Sequence, residues 1–181
     1  GGAGNPENPD GYATSYLWEE VLQRDSLLDL IKRFISFVKE KEEVVGKNGV
    51  SKTVTKEKMI FPRYHQYDVV RKIMVDVRRD GVGTNYLIQH SAGSGKSNSI
   101  AWIAYRLASV HDAQNNGLFD SVIVVTNRVV LDSQLQDTIN SFEHKAGLVE
   151  AIDDKKNSRN LADAINDKKR IIICTDADED G

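Results

Sequence analysis

Tyr86-Leu-Ile-Gln-His-Ser-Ala-Gly-Ser-Gly-Lys-Ser97 reads as a buried strand that turns into a glycine-rich loop and opens a helix at Lys96-Ser97. Gly93 and Gly95 lack a Cβ, so the backbone can curl and turn several N–H groups into one concavity. The helix behind the loop adds unpaired N–H groups and the positive end of its dipole. Lys96 reaches the β- and γ-phosphates, and the Ser97 hydroxyl ligates Mg²⁺. Gly93, Ser94, Gly95, Lys96 and Ser97 are therefore the expected seat of a nucleoside triphosphate, with Lys96 the residue on which catalysis depends. The general pattern G-x-x-x-x-G-K-[ST] asks for glycine where this chain has His90, while Gly93 to Ser97 fit it.

Outward from this loop, strands and helices alternate. Upstream, Pro62 marks a boundary, and Tyr64, Tyr67, Val70, Ile73, Met74 and Val77 share one face of a helix that Gly81-Val-Gly83 ends. Downstream, the spacing predicts a helix over 96–110 with Ile100, Ile103, Ala104 and Leu107 inward. Ser121–Thr126 and Arg170–Thr175 are continuous apolar runs of the kind buried in a parallel sheet. Between them lie a helix over Val129–Phe142, a short strand over Leu148–Ile152 and a helix over Ser158–Asn166. This is an α/β chain: a RecA-like phosphate-loop fold, a parallel sheet with helices on both faces. Its ligand is expected at the carboxyl ends of the strands.

A smaller segment precedes it. Residues 1–13 read as a flexible lead. Leu17–Gln23 predicts a short helix. Leu27, Leu28, Ile31, Phe34, Ile35 and Val38 predict the inward stripe of a second. Glu42–Val45 and Val50–Thr55 around Gly46-Lys-Asn-Gly49 predict a polar hairpin. The expected organisation is a lead over 1–13, a helical and hairpin segment over 14–60, an incomplete first motor domain over 61–175 and an acidic tail over 176–181.

The chain has 181 residues and a net charge of −3, so it is no general electrostatic binder of nucleic acid, and any DNA contact is local. Its single cysteine excludes an intrachain disulfide and a cysteine-based zinc site, and fits a reducing cytoplasm. No apolar run is long enough to span a membrane, and no signal peptide is present. The Gly-Gly-Ala-Gly start and the acidic end give the expectation of a fragment.

Other residues take meaning from the loop. Gln66 lies 30 residues before Lys96, and its amide suits the adenine N6/N7 edge; alone it would read as a surface glutamine. Thr126, Asn127 and Arg128 stand at a strand-to-helix junction, where they either bond DNA phosphates or simply open a helix. His90 either faces the nucleotide or packs beneath the loop. Cys174 reads as a small core residue. Lys168-Lys-Arg170 reads as a solvated approach to a strand. In the tail, Asp178-Glu179 follows Cys174 too late for a standard strand-to-acid junction, and reads as a chain end.

Taken together, Tyr16–Leu28, Ile60-Phe-Pro-Arg-Tyr-His-Gln-Tyr-Asp-Val-Val-Arg71, Tyr86–Trp102 and Val124-Val-Thr-Asn-Arg-Val-Val-Leu-Asp-Ser-Gln-Leu135 resemble the motor (R) subunit of type I restriction-modification enzymes. The resemblance covers about residues 5–175. It implies a superfamily-2 helicase-like translocase, a class that often lacks the first loop glycine and places a glutamine upstream for adenine. It implies ATP and Mg²⁺ as cofactors and double-stranded DNA as the track. Specificity (S) and methyltransferase (M) subunits are the implied partners, and the bacterial cytoplasm the implied place. The whole subunit would be a type I site-specific deoxyribonuclease that couples ATP hydrolysis to translocation and cuts DNA. Its nuclease carboxylates, acidic box and second motor domain have no match here, so this piece is expected to bind ATP without translocating or cutting. The alternatives are another superfamily-2 helicase fragment, which has no need of the 16–28 block, and a non-catalytic assembly module.

Overall fold

The structure, a computed structural model, describes residues 4–45, 51–126, 129–142, 149–152 and 158–175, which divide into two units, 1–63 and 64–181. In the first unit, Leu17–Val21 forms one wide helical turn, closed by the Leu22 N–H on the Leu17 carbonyl at 2.6 Å. Helix α1 spans Arg24–Arg33. Of the expected stripe, Phe34 is buried while Leu27, Leu28 and Ile31 are exposed, and Leu30, outside it, is buried. The helix does not reach Val38. It ends at Arg33, and Ser36–Val45 is strand β1, paired antiparallel with β2, Ser51–Ile60, from Ser36↔Ile60 to Val45↔Ser51. Ile35, Phe37 and Val38 favour extended backbone, and a full-length partner strand outweighs two further helical turns. The expected hairpin is thus present and longer than its turn signal indicated.

The second unit begins with α2, Tyr64–Asp80, which buries Tyr67, Val70, Ile73, Met74 and Val77 as their spacing predicts. Helix α3, Lys96–Ala108, follows. Of the expected face Ala104 is buried, Ile103 and Leu107 are half-buried and Ile100 is exposed, while Ala101 and Trp102, outside it, are buried. The reason is what packs there: Trp102 stacks on Phe142, with centroids 5.5 Å apart and planes 13° from parallel. The Tyr105 hydroxyl also donates to the Ile139 carbonyl at 2.7 Å. Strand β3 is Val122–Thr126, α4 Val129–Ser141, β4 Val149–Ile152, α5 Ser158–Asn166 and β5 Ile171–Thr175.

The three strands form a parallel sheet in the order β3-β5-β4, flanked by helices. Central β5 carries Ile171, Ile172 and Ile173, all buried. That is what a strand covered on both faces requires of its sequence. Cys174 packs with Leu161 against Ile152, Ala164 and Ile172, a small core residue as expected. β3 departs from expectation. Among the described strands it has a neighbour on one side only, and Ile123 and Val125 are exposed. An apolar run thus forms an edge strand with one open face.

A larger correction concerns Tyr86–His90. The expected strand is absent: the segment is irregular, takes no part in the sheet, and Leu87 is 93% exposed. An apolar run records readiness for burial, but a strand also needs an edge to pair with. This segment pairs with none among the described strands. The loop that follows is shaped without it.

Candidate nucleotide-binding site

The loop is built by two left-handed glycines and by the first turn of α2. Gly93 has φ +72° and Gly95 φ +81°, values that side chains with a Cβ rarely adopt. Gly95 is the N-cap of α3, and its carbonyl accepts the N–H groups of Asn98 at 3.1 Å and Ser99 at 3.4 Å. The Ser94 N–H closes the preceding turn on the Ser91 carbonyl at 3.3 Å. Lys96 extends its ammonium back over the loop, donating to the carbonyls of Ser91 at 2.9 Å and His90 at 3.3 Å. These contacts are on the surface, so a triphosphate would compete for the cation on favourable terms: charge-assisted bonds to anionic oxygens are stronger than bonds to carbonyls.

Gln66 and His65 approach from the other side. Gln66 is 3% exposed. Its Nε2 donates to the carbonyls of Gly95 at 2.8 Å and Ser94 at 3.3 Å. His65 Nε2 lies 3.1 Å from the same Ser94 oxygen. A carbonyl only accepts, so this nitrogen carries the hydrogen. The His65 ring meets His90 edge-on, with centroids 4.8 Å apart. His90 therefore packs against His65. Burial, chiefly, with the neighbouring His65 and Lys96 charges, lowers the His90 pKa below its ordinary value, favouring neutral imidazole.

Two of these features fit a phosphate-bearing ligand. A Cβ on Gly93 would meet nothing within 4 Å, so the loop has open space on that side. Ser97 lies in the first turn of α3, where helix dipole and free N–H groups favour anions. ATP with Mg²⁺ suits this donor set: an ammonium, a hydroxyl and backbone N–H groups.

The structure brings Gln66, Gly93, Ser94, Gly95, Lys96 and Ser97 into one neighbourhood. Thr126 ends β3 in register with Thr175 of β5, while Asn127, Arg128 and the acidic tail 176–181 lie outside the described residues. Among the described residues no cluster of His, Cys, Asp or Glu could hold a metal by itself, and no helix is long and apolar enough to cross a membrane. Sequence reading missed His65, whose signal was its place beside Gln66 on a helix start. It also missed Arg170. Far from being solvated, the Arg170 guanidinium donates to the carbonyls of Phe119 at 3.1 Å, Asp120 at 3.4 Å and Ala108. A sequence offers no cue for carbonyls left over at loop ends.

A glycine-rich loop opening a helix beside a parallel sheet flanked by helices is the arrangement of a RecA-like ATPase fold. Residues 65–177 match the SWI2/SNF2 ATPase family, and the chain belongs to that family. It is 25% identical over 182 aligned residues to the candidate endonuclease subunit of type I restriction enzyme MjaVIIIP from Methanocaldococcus jannaschii, spanning 85% of this chain and 16% of that protein. It is 31% identical over 130 residues to the type I restriction enzyme HindI endonuclease subunit from Haemophilus influenzae, covering 67% of this chain and 10% of the relative. The chain thus spans less than a fifth of the length of either relative, and both belong to the class that its motifs resemble. No solved structure matches it at a significant level.

Proposed function

We propose that this chain is the ATP-binding part of a type I restriction enzyme's motor subunit. Gly93, Ser94 and Gly95 cradle the phosphates, Lys96 neutralises the β- and γ-phosphates, and Ser97 helps hold Mg²⁺. The observation that carries this reading is the loop itself, two left-handed glycines at the head of α3 with an exposed lysine folded across them. The names of the two relatives support the restriction-enzyme setting.

In the whole subunit, ATP hydrolysis would drive translocation along double-stranded DNA and precede its cleavage, in complex with specificity and methyltransferase subunits. Thr126, Asn127 and Arg128 are proposed as phosphate contacts to the DNA track. When bound, Mg²⁺ supplies charge neutralisation for phosphoryl transfer. The 181-residue chain alone binds ATP and neither translocates nor cuts.

Calorimetry with Mg-ATP tests this on the wild-type chain and on Lys96→Ala. Binding that Lys96→Ala abolishes is expected. Absence of binding in the folded wild-type chain refutes an independent nucleotide site. Steady DNA-stimulated ATP turnover by the isolated chain contradicts the claim that it only binds.

A further inference from the structure

We propose that Asn116, in the loop that joins α3 to β3, is a site of spontaneous deamidation to aspartate and isoaspartate. The inference is independent of the nucleotide-binding reading.

The loop closes as a short hairpin. The Asp112 N–H donates to the Asn116 carbonyl at 2.9 Å, and the Leu118 N–H to the Val110 carbonyl at 3.0 Å. His111 and Gly117 face each other between these two bonds. In an antiparallel ladder such a pair exchanges no bonds of its own, so its N–H groups point outward. Accordingly, the Gly117 N–H has no hydrogen-bond partner among the described residues. Asn116 and Gly117 are both exposed, so water reaches them.

Asparagine is a labile side chain, and these conditions favour its loss. Hydroxide takes the Gly117 amide proton, and the Gly117 nitrogen attacks Asn116 Cγ. Glycine has no Cβ to obstruct that approach. The new N–Cγ bond closes a five-membered succinimide. The Cγ–Nδ2 bond breaks, and Nδ2 leaves as ammonia with a proton from water, which regenerates the hydroxide. A second water then opens the ring. Addition at Cγ gives aspartate. Addition at the main-chain carbonyl carbon gives isoaspartate, with the chain running on through Cγ. The net change is amide plus water to carboxylate plus ammonium, with nothing oxidised or reduced.

The fold distinguishes Asn116 from its neighbour Asn115. For Asn115, the attacking nitrogen would be that of Asn116, whose N–H is held by Asp112 Oδ1 at 2.8 Å and whose Cβ is in the way. Conversion at 116 also undoes a contact. Asn116 Nδ2 donates to Asp112 Oδ2 at 3.3 Å, and a carboxylate in its place has no hydrogen to give and repels Asp112.

The test is a time course on the intact 181-residue chain, in neutral and in mildly alkaline buffer, with a urea-unfolded sample alongside. Trypsin releases Leu107–Arg128, and separates it from Asn48-Gly49, which lies outside the described residues. Fragment ions then assign the NH₂-to-OH mass change to 115 or 116, and chromatography resolves the two products. Conversion is expected at 116 ahead of 115, faster in alkaline buffer, with a stronger preference for 116 in the folded chain than in urea. An equal or weaker preference in the folded chain overturns the proposal. A Cβ on Gly117 would meet the Arg170 guanidinium at 3.5 Å, an ordinary contact, so Gly117→Ala is tolerated. With circular dichroism confirming its fold, this variant should convert at 116 no faster than at 115. An unchanged rate at 116 would also overturn the proposal, and the wild-type comparison stands should the variant unfold.

Discussion

The amide nitrogen of Gln66 stands 2.5 Å from where a β-carbon on residue 95 would sit, and donates to that residue's carbonyl at 2.8 Å. Two constraints thus fall on Gly95, its left-handed φ of +81° and this close approach, whereas Gly93 with φ +72° has open space around it. Gly93→Ala is expected to cost about 1–2 kcal/mol of backbone strain. Gly95→Ala is expected to cost more, about 2–4 kcal/mol, because a steric clash is added to the strain. Adding Gln66→Ala should return part of the loss at 95 and none at 93. Urea denaturation of the three single and two double variants, compared with wild type as double-mutant cycles, measures this coupling. Equal costs at the two glycines would refute it.

These two glycines also mark how far a sequence can be read. The loop was legible because Gly93, Gly95, Lys96 and Ser97 make it from local chemistry. Helix α2 was legible because its apolar spacing matches its single buried face. Tyr86–His90 was misread because strand formation depends on a partner edge elsewhere in the chain, and no local pattern reports that. The expected reach of α1 to Val38 fails for a related reason: Val38 suits a helix face, but its pairing with Lys58 of β2 decides its state. The contact between Gln66 and Gly95 joins residues 29 positions apart, so the sequence supplied the participants and not their relation.

Lys169 and Arg170 adjoin in sequence yet should behave differently. Lys169 meets Glu150 at 3.8 Å with both side chains about one-third exposed, an ion pair that water screens. Lys169→Met is expected to change stability by less than about 0.5 kcal/mol. Arg170 holds the Ala108, Phe119 and Asp120 carbonyls together, and its loss leaves partly buried acceptors unpaired. Arg170→Met is expected to cost about 2–3 kcal/mol. Chemical denaturation of both variants decides the point, and a harmless Arg170→Met would show that water replaces the guanidinium.

His90 should make the second unit acid-sensitive. Its folded pKa is lowered from 6.5, mainly by burial and further by His65 and Lys96. Above both values the imidazole is neutral in folded and unfolded chains, and the site has no effect on stability. As pH falls below about 6.5, the unfolded chain takes up a proton that the folded chain refuses. Stability is therefore lost across the window from 6.5 down to the lowered folded value, and levels off below it. His90→Gln should flatten the stability–pH curve in that window. An unchanged slope in the variant, with pH-titrated thermal melts as the readout, would assign the acid sensitivity elsewhere.

The chain has two tryptophans, one in each unit, and this allows each unit's unfolding to be followed separately. Trp102 is 2% exposed and stacked on Phe142, whereas Trp18 is 49% exposed and meets Tyr12 edge-on at 6.2 Å. In Trp18→Phe, the remaining Trp102 emission should be blue-shifted and resist acrylamide quenching. In Trp102→Phe, the remaining Trp18 emission should be red-shifted and readily quenched. Truncating the stacked ring altogether, in Trp102→Ala, opens a cavity between α3 and α4 and is expected to cost about 3–5 kcal/mol. Because α3 carries the phosphate loop at its head, that variant should lose Mg-ATP binding in step with its far-UV dichroism as temperature rises. Binding that outlasts the helical signal would show that the loop is held by Gln66 and His65 alone, independently of the helix it opens.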